Sequence, residues 1–380
     1  MKKSLLALAI AASVAAPASA STAISGGIWL NYQNVIKDKD FTDAEQRDQA
    51  TLGDVNSEAL ILYIDHQQED SDWQLSAEWR TGPGSFSDGA HNSTGDFSGF
   101  HKLWVGYNFS ETRKVVIGKS QVPFGWATIN FWPGDMALGG YADQMDVGVK
   151  FSDKIDSISY DLAWYISDDF GETSTDTMDD NNHWGGGQST ASVYRKVNTA
   201  VANVGYDLSA SQTIGASFQQ GELQETTSVN IGTDDTVDPA DDSTFGGHNA
   251  WDVWYTGTYG NLGVMAQVMG TQRDGLDKVG AGADKMKTLR QALTLSYATG
   301  PFNYYIEYTG ASSDTDLNKA SDMVAFAPGV SYNYGPGWIY AEYLTQTNYI
   351  DLNGDVADNG DVKNTDFEFS AMYLTIDYYF

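Results

Sequence analysis

Asp72-Trp73-Gln74-Leu75-Ser76-Ala77-Glu78-Trp79-Arg80 is the stretch that decides the fold. Trp73, Leu75, Ala77 and Trp79 alternate without exception with Gln74, Ser76, Glu78 and Arg80. A repeat of two places the sets on opposite faces of an extended strand, whereas a helix needs a repeat near 3.6. One face therefore seeks an apolar medium and the other seeks water. Residues 158–167 repeat the division, with Ile158, Tyr160, Leu162, Trp164 and Ile166 set against Ser159, Asp161, Ala163, Tyr165 and Ser167.

Carried along the chain, this period predicts sixteen strands, near residues 24–34, 56–67, 72–82, 99–109, 115–122, 144–152, 158–167, 196–208, 213–222, 249–259, 262–272, 288–299, 302–310, 322–334, 338–348 and 366–380. Short links rich in turn residues, such as Gly260-Asn261, Gly300-Pro301 and Gly335-Pro336-Gly337, alternate with long ones at 168–195, 223–248 and 349–365. A transmembrane barrel segregates its connections this way, with short turns on one side, long loops on the other and an even strand number. A strand of ~10 residues crosses a bilayer obliquely. The expected fold is thus all-β: a transmembrane antiparallel β-barrel of about 16 strands, one domain over residues 21–380. A soluble sandwich or β-helix is the alternative, but it has no use for Tyr107, Phe109, Tyr206, Tyr259, Phe302, Tyr332, Tyr334 and Trp338 beside the short turns. That placement suits an interfacial aromatic girdle.

Composition narrows the function classes. The 380 residues carry 21 basic and 51 acidic groups, a formal charge of −30, which excludes binding to nucleic-acid phosphates. The absence of cysteine removes disulfides, thiolate zinc sites and cysteine nucleophiles. Met1-Lys2-Lys3, an apolar run from Leu5 to Val14 and Ala18-Ser19-Ala20 form an expected signal peptide, residues 1–20, cleaved after Ala20 on export. Beyond it no run of ~18 apolar residues exists for a membrane helix.

Two segments carry a resemblance. The terminal Tyr373-Leu374-Thr375-Ile376-Asp377-Tyr378-Tyr379-Phe380 resembles the C-terminal assembly signal of Gram-negative outer-membrane barrels, with Tyr378 and Phe380 as its key residues. Val116-Ile117-Gly118-Lys119-Ser120-Gln121-Val122-Pro123-Phe124-Gly125 resembles the phosphate-selective porin O and P group and related sixteen-stranded porins. The resemblance implies a homotrimer in the outer membrane of a Gram-negative bacterium, each barrel with its own pore. It also implies contact with outer-membrane lipid and lipopolysaccharide, insertion by the barrel-assembly machinery, and no cofactor. The expected activity is passive diffusion of small hydrophilic solutes and ions, with a substrate-specific anion channel of the phosphate type as the alternative. The acidic balance departs from the lysine- and arginine-rich channels of the anion-selective members.

A barrel this wide encloses water, so polar residues of the alternating pattern line a lumen. The phase places Arg80, Lys102, Lys119 and Lys150 on one wall, with Glu78 and Asp146 interrupting, and Asp161, Asp252, Glu307, Glu342, Glu368 and Asp377 on the rest. The two sets either make a transverse field across the pore or merely keep a wet interior paired. The aromatic loop 123–142, with Pro123, Phe124, Gly125, Trp126 and Asp135, is expected to fold inward as a constriction; a lid or subunit contact is the other reading. The acidic stretches at Asp234-Asp235, Asp238, Asp241-Asp242 and 351–361 fall in outer loops. Asp351-Leu352-Asn353-Gly354-Asp355 spaces oxygen ligands as calcium loops do, yet Val356 stands where glycine belongs and the closing glutamate is missing. No metal site is therefore assigned. No catalytic motif appears: His66, His91, His101, His183 and His248 lack H-E-x-x-H spacing, and no G-x-S-x-G elbow occurs. The long loop 168–195, with His183-Trp184 and three glycines, keeps an adhesion role open alongside a pore.

Overall fold

The structure, a computed structural model, describes residues 21–38, 53–67, 71–82, 98–124, 129–131, 144–170, 194–225, 244–275, 284–316, 319–347 and 368–380. They form β1 (Ser21–Asp38), β2 (Asp54–Gln67), β3 (Trp73–Thr81), β4 (Ser98–Asn108), β5 (Lys114–Gln121), β6 (Met145–Ile155), β7 (Ile158–Ser167), β8 (Tyr194–Ser209), β9 (Gln212–Glu225), β10 (Thr244–Tyr259), β11 (Leu262–Asp274), β12 (Lys285–Thr299), β13 (Phe302–Thr315), β14 (Lys319–Asn333), β15 (Trp338–Thr347) and β16 (Glu368–Tyr379). Each strand pairs antiparallel with its neighbours in sequence, and β1 pairs with β16, so the sheet closes into a barrel. No helix among the described residues is long and apolar enough to cross a membrane. The expected signal peptide, 1–20, and the acidic loops lie outside the described residues.

Alternation determines which face each residue takes. Along β12, Met286, Thr288, Arg290, Ala292 and Thr294 are buried while Lys287, Leu289, Gln291, Leu293 and Leu295 are exposed, Leu289 by 49%. The usual distribution of a water-soluble protein is inverted: leucines cover the outside and charged groups fill the inside. Several strands run past their apolar alternation on the side of the long connections. β10 begins at Thr244-Phe245-Gly246-Gly247 and β13 continues through Ser312-Ser313-Asp314 to Thr315, where the sequence has no apolar alternation. Hydrogen bonding to a neighbouring strand continues there without an apolar medium to select one face.

At the ends near the short turns, aromatic rings ring the outside. Trp73, Tyr107 and Phe109 touch edge to face at 5.0 Å, and Phe302 meets Tyr332 at 4.9 Å. Trp338 departs from this girdle: it shares the inner face with Tyr340, the ring centroids 6.5 Å apart. The hydroxyl of Tyr334 donates to the Asp377 carbonyl (2.6 Å). Phe380 seals the barrel, its amide and carbonyl bonding those of Gly26 at 2.9 Å each, while Tyr378 and Phe380 are exposed on the outer face.

Two glycines face each other where β5 and β6 bend. Gly118 has φ +124° and pairs with Gly148. A Cβ on Gly118 would lie 2.4 Å from the Leu103 carbonyl oxygen, and one on Gly148 would lie 2.2 Å from that of Trp164 and 2.6 Å from the Tyr165 Cα. The register of β6 against β7 shifts at the same point, between Val147 and Gly148. Gly148→Val must therefore push two backbones apart and should cost about 1–3 kcal/mol. The expected result is a lower denaturant midpoint for the detergent-solubilised barrel; an unchanged midpoint would contradict this account of the bend.

Candidate functional site

After Gln121 the chain leaves the sheet and enters the barrel. Val122 and Phe124, each 2% exposed, pack against Tyr165, Val201, Ala250, Met269 and Ala292 from the inner faces of β7, β8, β10, β11 and β12. Further along, the Ile129 amide donates to Glu307 on β13 (3.4 Å), and the Asn130 side-chain nitrogen donates to the same oxygen (3.2 Å). The Phe131 amide donates to Glu342 on β15 (2.7 Å), whose carboxylate also accepts from the Tyr305 hydroxyl (2.6 Å). The Phe131 ring then meets Trp29 on β1 at 5.5 Å and Tyr340 at 4.9 Å. Residues 122–124 thus lie on the inner wall by apolar packing against β7 to β12, and residues 129–131 lie on it by charge-assisted bonds to carboxylates of β13 and β15. Pro123 lies between the two packed residues. Gly125, Trp126 and Asp135 fall outside the described residues.

The stem of this segment is tied from both sides. Lys150 Nζ (2.7 Å) and the Tyr165 hydroxyl (3.1 Å) both donate to the Gln121 carbonyl. Val122 donates to the Gln144 carbonyl (2.8 Å), and Lys196 Nζ reaches the Gln144 side chain (2.7 Å) with Asp146 at 3.8 Å.

The four basic residues singled out above occupy three different settings. Arg80 is bound by Glu78 through Nε and Nη2, both at 2.7 Å, and its guanidinium lies 5.4 Å from the Trp29 ring. Lys102 stands opposite Glu78 in the register of β3 and β4. Lys150 holds the stem. Lys119 is 1% exposed and bonds Asp169 at 2.6 Å, both groups buried. Gly118 explains this: Ile117 is 56% exposed, and strict alternation would turn Lys119 to the same side, but the positive φ between them breaks the phase.

The acidic residues whose side chains are described are all engaged. Asp161 accepts from Ser152 (2.6 Å) and Asn203 (3.0 Å), Asp252 from Gln267 (2.5 Å), and Asp377 from the Trp338 amide (2.5 Å) at the turn end of the barrel. Glu368 begins β16 opposite Thr347; its side chain lies outside the described residues. No metal-holding group of three His, Cys, Asp or Glu occurs among the described residues.

Sequence reasoning missed Lys114, Lys196, Arg273 and Arg290. Lys114 Nζ lies 4.1 Å from the Trp104 ring and 3.2 Å from Gln74 Oε1, within the fields of Lys150 and Lys102. Its signal was its phase, two residues before the buried Val116. Arg290 alternates with Leu289 and Gln291 and donates to Thr271 (3.2 Å). Arg273 lies just past the alternating part of β11, where the pattern carries no information.

No family model matches the sequence, and no curated protein matches it. The fold has many solved counterparts. OmpT of Vibrio cholerae, an outer-membrane protein in trimer form, aligns at TM-score 0.59 and 13% identity over 96% of this chain and 100% of its own. The outer-membrane channel DcaP of Acinetobacter baumannii aligns at 0.61 and 12% over 96% and 99%. An anion-selective porin from Comamonas acidovorans aligns at 0.54 and 12% over 95% and 100%. The likeness is one of fold: this chain has the barrel of outer-membrane porins and channels.

If Glu307 and Glu342 fasten the crossing segment, replacing both by alanine removes the acceptors of its three donors, Ile129, Asn130 and Phe131. A hydrogen bond to a charged group is worth about 1.5–3 kcal/mol, so the amides of Ile129 and Phe131 should exchange with solvent at least about tenfold faster. Hydrogen exchange read by mass spectrometry checks this, and unchanged protection at those amides would show that the apolar packing alone holds the segment.

Proposed function

We propose that this chain is an outer-membrane porin: a water-filled channel for passive diffusion of small hydrophilic solutes and ions, with residues 122–124 and 129–131 at its constriction. The observation that carries the reading is this segment, bonded to Glu307 and Glu342 inside a closed barrel that is apolar outside and polar inside. A chain laid along the inner wall narrows the lumen without filling it. Solutes pass between the segment and the wall of β3 and β4, where Arg80 and Lys102 are only half-buried. No catalytic step and no cofactor are involved. The expected signal peptide, homotrimer, lipopolysaccharide contact and assembly through Tyr378 and Phe380 belong to the same proposal. The acidic outer loops would concentrate cations at the mouth within about a Debye length, ~8 Å.

A second reading, a channel specific for phosphate or another small anion, is favoured by one observation. Lys102, Lys114 and Lys150 stand on consecutive strands, and Lys114 feels the charge of both others. Three like charges brought together favour an anion among them.

Reconstitution in a planar bilayer separates the readings. The general porin should conduct, with reversal potentials across a salt gradient that lean to cations or to neither sign. Lys102→Gln with Lys114→Gln should shift the reversal potential further toward cations by several millivolts while current persists. Under the second reading the wild type prefers anions, phosphate blocks the current, and the double variant loses that block. A protein that inserts and does not conduct would refute both.

A further inference from the structure

Apolar clusters interrupt the polar inner face, and one of them sets aromatic rings beside a charged pair. Trp29, Ala59 and Ile61 form its buried floor, with Tyr63 and Phe131 half-buried against it. A single row of paired residues runs Arg80, Ile61, Gly27, Tyr379 across β3, β2, β1 and β16. Gly27 is what admits the last ring: a Cβ there would lie 2.7 Å from Tyr379 Cδ1 and 2.8 Å from Cε1. The half-buried Tyr379 therefore lies over bare backbone. Tyr63 pairs with Glu78 one row away and lies within the fields of Glu78, Arg80 and Asp377. Apolar rings on the inner wall of a water-filled barrel bring no benefit from lipid, so their cost in water calls for a ligand.

We propose that Tyr63, Tyr379 and Phe131, with the Arg80–Glu78 pair at their edge, form a platform for a neutral sugar in transit. The inference rests on the channel reading above. Charge selects the class of ligand. Arg80 and Lys102 stand beside Glu78, and Tyr63 also feels Asp377, so charges of both signs border the rings and neither an anion nor a cation is singled out. What remains is a donor fork, carboxylate acceptors and ring faces side by side. A pyranose ring offers an apolar C–H face to stack on the rings, and its neighbouring hydroxyls accept from Arg80 and donate to Glu78.

The test is the ion current of single channels in a planar bilayer, with glucose and the malto-oligosaccharides up to six units added on one side. Expected is a reversible, saturable block. Tyr63→Ala should raise the half-blocking concentration about tenfold, the change one aromatic contact commands, while Tyr63→Phe, which keeps the ring, should stay near wild type. The conductance of each variant reports whether its barrel has assembled. Open channels that no sugar blocks would overturn the platform and leave the porin standing. Equal block in wild type and Tyr63→Ala would overturn it too. So would benzoate blocking at lower concentration than the sugars, since that places an aromatic anion on the rings instead. If the inserted protein passes no current, the porin reading fails. Quenching of tryptophan fluorescence by maltohexaose in detergent then decides the platform separately: saturable quenching lost in Tyr63→Ala supports it, and none overturns it.

Discussion

Everything in this molecule depends on one constraint: in hydrocarbon a backbone amide or carbonyl has no water to bond, so each must find a partner in the sheet. A ring of sixteen strands with β1 bonded to β16 leaves no edge unpaired. Closure then sorts the side chains, because a two-residue repeat on a closed ring has only an outside and an inside. The apolar outer surface and the buried Glu307, Glu342, Asp252 and Asp377 follow from the same geometry. Phe380 completes the ring by bonding Gly26, with its own side chain on the outer face over that glycine.

A polar interior creates the next problem, which is how to hold a chain segment inside it. Between β5 and β15 the solution changes character. Phe124 sits in an apolar pocket that needs no direction, whereas the amides of Ile129 and Phe131 are fixed by carboxylates. Acidic side chains suit this task because an ionised carboxylate accepts several bonds and has no proton to place. Glu307 and Glu342 therefore fasten the segment to the inner wall, each through a side chain that the strand phase already turns inward.

How far the residues disclose this depends on where periodicity operates. All sixteen strands are legible because lipid outside and water inside enforce the alternation residue by residue, as in 158–167, where reading and structure coincide. Beyond the apolar belt the constraint lapses, so Thr244 to His248 and Ala311 to Thr315 join strands that no pattern announces. Lys119 shows a second limit. Its setting depends on a positive φ at Gly118 and on Asp169, fifty residues away in sequence, and neither is a periodic signal. Phase places Glu307 and Glu342 inward, yet their partners lie in a segment with no period at all.

Glycine supplies the remaining freedom. In a tightly paired sheet an aromatic ring on the inner wall must stand out into the lumen unless the neighbouring residue lacks a Cβ. Tyr379 over Gly27, Tyr305 over Gly329 and Trp254 over Gly215 all use that vacancy. Each pair sets ring area against the inner wall of the barrel. The same device outside, Trp251 over Gly270, smooths the surface presented to lipid. Glycine in these strands therefore weakens backbone order locally and in return lets a ring lie against the sheet.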